Sequence, residues 1–248
     1  MTAHNDLRPR GVILRAFGEE ITMLGPNTLM TEHTHPFDLS FNLWSPTAND
    51  DRLPKGEYDF PFEFTLPAGL PPTFNGEFTR IIYLIEVKVD LPLHADIRHE
   101  QSLMIRPAPL TDAGLPIHAA VSTPGGLMLH LDLASSGFYP GDHISGTMRV
   151  VGAGAQSITA ATIDLIAREK GEAREFADHV EKVRVRVEID PAQLKSGQPF
   201  PFDLPIPEDV DPAFVAQHSS KSQLIRARLE IVSAQPLIAE AAIRIGSR

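Results

Sequence analysis

His33-Thr34-His35 is the first place in the chain where side-chain types and spacing could do chemistry. Residues two apart on an extended strand share a face, so both imidazoles could meet one metal ion. No third ligand stands nearby in sequence, and a solvated pair is the expected reading. His94, Asp96, His99 and Glu100 crowd what reads as one polar turn. A metal or proton site there would need those groups to converge. No Gly-x-Ser-x-Gly, His-Glu-x-x-His or phosphate loop is present. Gly152-Ala153-Gly154-Ala155 is a fragment of a glycine loop without a following helix, and it reads as a hairpin turn. The chain has no cysteine, which removes thiolate nucleophiles, disulfides and Cys-ligated metals. No nucleophile–base pair, metal cluster or cofactor motif can be read, so the expectation is a chain that is not an enzyme and needs no cofactor.

The surface feature with most binding potential is basic. Lys182, Arg184 and Arg186 alternate with Val183, Val185, Val187 and Ile189. The valines and Ile189 are expected to face in and the cations, with Glu188, to face out. Arg226 and Arg228 form a second such pair on a later strand. Together they could hold an acidic peptide, a phosphorylated tail or a lipid head group. Glu188 and Glu230 are interspersed, and a mixed-sign face is also what an ordinary soluble sheet carries. Phe62, Phe64, Tyr83 and Phe202 could be mistaken for an aromatic ligand box. Core packing is the expected role, because each buried aromatic supplies a large apolar area.

These residues are positioned by a repeated design. Phe60-Pro61-Phe62-Glu63-Phe64-Thr65-Leu66-Pro67 and Phe200-Pro201-Phe202-Asp203-Leu204-Pro205-Ile206-Pro207 lie at a constant offset of 140 residues, without a gap. The register continues to Phe74 and Phe214, and each copy leads into an alternating strand, 81–87 and 224–231. Such a matched pair implies two domains of one design in tandem, 1–106 and 107–248. A chain of 248 residues accommodates them, and 42% hydrophobic with 22% charged residues suits packed cores. The 22 prolines and 17 glycines fall between apolar runs, as in many short strands joined by turns. Strand candidates are 12–17, 37–44, 81–89, 127–133, 143–150, 161–168, 180–189 and 238–245, with Leu103-Met104-Ile105 closing the first half. Asp190-Pro191-Ala192-Gln193-Leu194 reads as one helical turn, with Asp190 as cap and Pro191 at its first position. Residues 106–116 are the linker candidate. No segment has a long helical apolar period. The class is therefore all-β, as two tandem antiparallel immunoglobulin-like sandwiches.

Charge and termini exclude several partners. A formal net charge of −10 argues against nucleic acid, which needs a dense basic footprint. No apolar run approaches the ~20 residues of a membrane-spanning helix. The first residues have neither the basic end nor the apolar core of a signal peptide. Lack of cysteine fits a reducing cytosol, so the expected location is cytoplasmic.

At this point the sequence resembles a known family. Phe60 to Pro67, Leu70-Pro71-Pro72-Thr73-Phe74-Asn75-Gly76 and Ile82-Tyr83 look like an arrestin-type N-domain. Phe138-Tyr139-Pro140-Gly141-Asp142 with Ser145-Gly146 looks like the opening of an arrestin-type C-domain, and Phe200 to Phe214 like its later half. The likeness covers nearly the whole chain. It implies two sandwiches and a non-catalytic adaptor or scaffold, whose relatives include the arrestins, the arrestin-like retromer subunit and bacterial sporulation-control proteins. It also implies protein partners, acidic or phosphorylated, met at sheet edges, loops and the concave surface between domains. The family's Pro-Pro-x-Tyr device is absent, since Pro71-Pro72-Thr73-Phe74 ends in Phe.

The repeat also exposes a deficit. Before the strand that matches Val12 to Phe17, the second half carries about forty-five residues and the first only about ten. Sandwich one is thus expected to lack its first one or two strands. An exposed sheet edge should result, and open edges recruit strands. Another chain, another segment or a second copy of this chain would cover it, or the recorded start lies too late. Self-assembly through that edge, as a homodimer, is the alternative function.

Overall fold

A computed structural model describes residues 1–25, 30–48, 50–107, 109–110, 114–152, 157–194 and 197–247. Ala108 and positions 111–113 of the expected linker lie outside the described residues, as do positions 153–155 of the expected glycine turn. The chain divides into two compact units. One is Met1–Arg106 with Ala173–Glu175 and Ala216–His218; the other is Pro107–Glu172, Phe176–Val215 and Ser219–Arg248. Regular structure among the described residues is β, apart from one short 3-10 turn.

The first unit contains β1 (Thr2–Ala3), β2 (Gly11–Leu24), β3 (Met30–Thr34), β4 (Asp38–Trp44), β5 (Gly56–Glu57), β6 (Phe74–Asn75), β7 (Thr79–Asp90) and β8 (Ile97–Leu103). β2 and β7 form the spine, antiparallel from Gly11↔Asp90 to Thr22↔Thr79. β3 and β4 share the far side of β2, while β6 and β8 share the far side of β7. Alternation puts Val12, Leu14 and Ala16 on one face with Ile81, Tyr83 and Val89, and all six are buried. Tyr83 fills the space above Gly18, where a Cβ would meet its ring at 2.6 Å. It stacks on Phe37 and donates its hydroxyl to the Pro71 carbonyl at 2.6 Å. Burial, with the Glu20 charge adding to it, pushes its phenol up to about 12. Glu20 is itself buried and accepts N–H groups from Gln217 and His218 at 3.1 and 3.0 Å, in a short segment belonging to this unit.

The second unit contains β9 (Ile117–Ser122), β10 (Met128–Leu133), β11 (Gly137–Phe138), β12 (His143–Val151), β13 (Ile158–Ala173), β14 (Phe176–Ile189), β15 (Pro199–Pro205), β16 (Phe214–Val215), β17 (Ser219–Ile231) and β18 (Leu237–Ile245). They make a full sandwich. A four-stranded sheet, β15-β12-β10-β9, packs on a six-stranded one, β11-β18-β17-β13-β14, with β16 on β17. Leu129, Leu131, Ile144 and Met148 from the first layer meet Ile163, Leu165, Ile225 and Leu229 from the second. The helical turn is found as a 3-10 turn, Pro191–Gln193, with the Asp190 carboxylate accepting the Ala192 N–H at 3.0 Å.

The two units match strand for strand only in part. β2, β7, β6 and β8 correspond to β13, β17, β16 and β18 at or near the 140-residue offset. The first unit has no described counterpart of the β9-β10-β12 layer. Its Pro-bracketed phenylalanine segment has no strand partner among the described residues, whereas the second copy is β15. Phe202 is 7% exposed and packs against Gly146; Phe62 is 48% exposed, and Phe64 is half-buried against Phe41. The expectation that Phe62 sits in the core is thus corrected. An aromatic is buried by the layer opposite it, not by its own alternation. Two further expectations change. His99 and Glu100 lie on β8 rather than in the turn. Val183 is 44% exposed while the Arg184 side chain is largely buried, reversing the alternation there, because Arg184 reaches Asp209 at 2.7 Å.

Truncation should separate the two copies. Phe202→Ala is expected to cost about 3 kcal/mol or more in chemical denaturation, and Phe62→Ala less than about 1 kcal/mol. Equal losses would show that both rings are packed alike.

Candidate functional site

The basic stripe falls on one face of the six-stranded sheet of the second unit, where β14, β13, β17 and β18 lie side by side. Asp164 and Arg226 are cross-strand partners, as are Thr162 and Arg228, and Arg226 and Glu240. Arg186 donates Nε–H and Nη2–H to the two Asp164 oxygens at 2.7 and 2.9 Å. That carboxylate is buried, so the two-pronged pair satisfies an anion that water does not reach. Arg226 donates Nη1–H and Nη2–H to Glu181 at 2.8 and 3.0 Å and Nε–H to Glu240 at 2.7 Å. Arg168 joins from the same side, donating to Glu181 at 2.8 and 2.6 Å. Arg228 pairs with Glu230 at 2.6 Å, two residues along its own strand.

These contacts sort the stripe into fixed and exchangeable cations. Arg186 and Arg226 are held by two or more charge-assisted bonds to side chains on other strands, which fixes their geometry. Arg228 and Glu230 are both about 40% exposed, the kind of surface pair worth roughly 0–1 kcal/mol, so Arg228 can change partners cheaply. Lys182 is exposed, with no carboxylate at ion-pair distance among the described residues. Arg184 bonds Asp209 instead of joining the ladder.

Arg186, Arg226 and Arg228 converge on a groove of about 380 Å³ that Thr162, Val183 and Glu230 also line. Lys182 and Arg184 do not line it. The Thr162 hydroxyl is buried beside it without a hydrogen-bond partner among the described residues. The groove thus offers a fixed guanidinium wall, one exchangeable guanidinium and an apolar side, with the Asp164 and Glu230 carboxylates also in its lining. That combination can seat an anionic side chain or head group. Sequence reading found the arginines and Glu230, the partner of Arg228, and missed the other partners. Asp164, Arg168 and Glu181 lie within runs read only as strands, and the alternating polar positions of 161–168 were the signal for the first two.

The histidine candidates stay apart. His33 Nδ1 lies 3.0 Å from Glu19, His35 Nδ1 3.1 Å from the Gly18 carbonyl, and His94 Nδ1 3.0 Å from the Pro92 carbonyl. No group of three or more possible metal ligands converges among the described residues.

The fold is that of a tandem-β protein whose second unit carries an ion-paired sheet face. Comparison with known proteins narrows the class. Residues 27–109 match the arrestin (or S-antigen) N-terminal domain family. Arrestin domain-containing protein 17 of Caenorhabditis elegans is 24% identical over 161 residues, covering 58% of this chain and 38% of that protein. Arrestin domain-containing protein 1 of Rattus norvegicus and of Mus musculus is 40% identical over 52 residues, covering 21% of this chain and 12% of each relative. The matched region thus spans well under half the length of these relatives. The chain is arrestin-like.

The ladder predicts a pH dependence. Hydrogen bonds from Arg226, then Arg168, outweigh burial and hold the Glu181 carboxyl down at about 2, against an ordinary 4.5. A folded-state value below the unfolded one gives stability that is complete above pH 4.5 and is lost as pH falls toward 2. Glu181→Gln is therefore expected to lower the melting temperature at pH 7 and to flatten its decline between pH 5 and 2. A variant with the same acid slope as the parent would remove Glu181 from the ladder.

Proposed function

We propose that the chain is a non-catalytic, arrestin-like adaptor that binds protein partners in the cytoplasm. The match of residues 27–109 to the arrestin N-terminal domain carries this reading. Two surfaces support it. The arginine groove and its neighbour Lys182 suit an acidic or phosphorylated partner segment, since guanidinium forks match carboxylate and phosphate geometry. The β8 edge suits main-chain pairing, because β8 bonds only β7 among the described residues and six of its seven residues are exposed. No helix among the described residues is long and apolar enough to cross a membrane.

That edge also favours a second reading, self-assembly as a homodimer. Light scattering across a range of concentrations separates the two. A constant monomer mass is expected for the adaptor, and a rising mass for the assembler.

The test of the groove is affinity capture from the native host with the parent chain and with charge variants. Arg184→Glu with Arg186→Glu is the direct change, but it sets a carboxylate against buried Asp164. Lys182→Glu with Arg228→Glu leaves the fixed pairs intact and serves as the second variant. Acidic partners should bind at least about tenfold more weakly to either variant. Unchanged capture removes the stripe from the interface. No partner for the parent chain overturns the adaptor reading.

A further inference from the structure

The outer face of the four-stranded sheet in the second unit carries a cation that its neighbours do not neutralise. Leu129 and Leu131 on β10, with Met148 and Val150 on β12, are buried in the core, so alternation turns His130, Asp132, Thr147 and Arg149 outward. Register sets these side chains in two rows. His118, Asp132, Thr147 and Pro201 run across β9, β10, β12 and β15; Ala120, His130, Arg149 and Pro199 form the next row. His130 and Arg149 are thus direct cross-strand neighbours, with Cβ atoms about 4.5–5.5 Å apart. Thr147 stands one row along from Arg149.

The face has two carboxylates among its strand residues, and a histidine takes each. Asp132 accepts from His118 Nδ1, and Asp203 accepts from His143 Nδ1 and from the Ser145 hydroxyl. Arg149 is left half-buried, without a hydrogen bond or ion pair among the described residues. The chain holds 32 carboxylate side chains against 22 cations, yet none of the described ones reaches this guanidinium. His130 adds a second unanswered group, because its Nδ1 is buried without a partner. A buried N–H without an acceptor is the costlier arrangement, so the proton belongs on Nε2, which becomes a donor. The His118 ring lies 5.4 Å from that of His130, and the Asp132 carboxylate fixes its orientation. Ala120 and Pro199, at the ends of the same row, are too short to cover the pair. A metal ion is the poorer occupant, since Arg149 stands beside the imidazole and no three ligands converge among the described residues.

We propose that this face binds an oxyanion, the carboxylate or phosphate group of a ligand, through the Arg149 fork, the His130 Nε2–H and the Thr147 hydroxyl. A guanidinium matches such groups in both charge and geometry. The arginine groove lies on the other sheet, across the thickness of the sandwich, so one anionic group cannot occupy both. The site extends the adaptor reading and stands independently of it.

The test is an NMR titration of the full chain, following the His118 and His130 ring signals and the Arg149 Nε–H. Inorganic phosphate and acetate are the free-ion probes, with sodium chloride at matched ionic strength as the control. Saturable shifts with half-saturation below ~10 mM are expected, and at least about fivefold weaker binding in Arg149→Gln. Arg149→Lys keeps the charge and the stem but loses the fork, and serves as the second variant; it should bind at least about twofold more weakly than the parent. N-acetyl-O-phosphoserine amide and N-acetylglutamate amide present the same groups as a protein would. Tighter binding of these than of the free ions assigns the site to a protein side chain, and the reverse assigns it to a free anion. No saturation by ~50 mM of any probe overturns the proposal. Equal binding by Arg149→Gln, or shifts reproduced by sodium chloride, does the same. The Lys182→Glu, Arg228→Glu chain should titrate like the parent; a loss there places the anion in the arginine groove and overturns this site.

Discussion

A sheet with one apolar face needs a second layer, and the second unit meets that need through the ladder between β12 and β15. Its register places Phe202 over a glycine and sends Leu204 and Ile206 into the space between the sheets. Prolines at 199, 201 and 205 restrict the bonds β15 can offer. They are tolerated because β15 is an edge strand, with β12 on one side only. The sandwich is thus closed by a strand that cannot bond on both sides. Its side chains complete the core.

The first unit meets the same need differently. Val12, Leu14 and Ala16 are fully buried, although the described residues of this unit form no second regular sheet. Irregular chain covers Val12. Leu53 joins Val12 and Val89 in a small core, with Leu7, Tyr58 and Phe60 packed against it. Short ladders hold this cover, β1 on β5 and Leu7 bridged to Leu53. Irregular chain leaves main-chain groups to water and packs fewer side chains per residue than a strand layer does. The cover therefore reaches the Val12–Val89 end of the spine, while Phe62, Leu66 and Ile97 stay exposed.

Much of the fold was legible because its signals are local or repeated. The alternation of 127–133, the Asp190–Pro191 cap and the tandem blocks each rest on residues adjacent in sequence or on a constant offset. The repeat reaches into backbone geometry as well. Leu93 and Ser233, 140 positions apart, both take a left-handed conformation, with φ of 62° and 57°. Strain at Leu93 therefore belongs to the turn between the last two strands of the design and not to a local function. What stayed hidden depends on distant partners. Phe62 and Phe202 have nearly the same neighbours in sequence, and only the presence or absence of β12 decides which is buried. Arg184 looked like its stripe-mates until Asp209 fixed it elsewhere.

The ion-paired face follows the same logic. Lys182 and four arginines on two strands read as a basic stripe, yet Asp164, Glu181, Glu240 and Glu230 pair with Arg186, Arg226 and Arg228. A chain with net charge −10 can present guanidinium groups to an anion only if its own carboxylates do not already saturate them. In the ladder, fixed pairs saturate Arg186 and Arg226 and set the shape of the groove. Arg228, held by a neighbour on its own strand, keeps capacity for exchange. The groove therefore has one wall of fixed geometry and one guanidinium whose partner is easily exchanged. The net charge of the paired face is small, because carboxylates and guanidinium groups are interleaved across it.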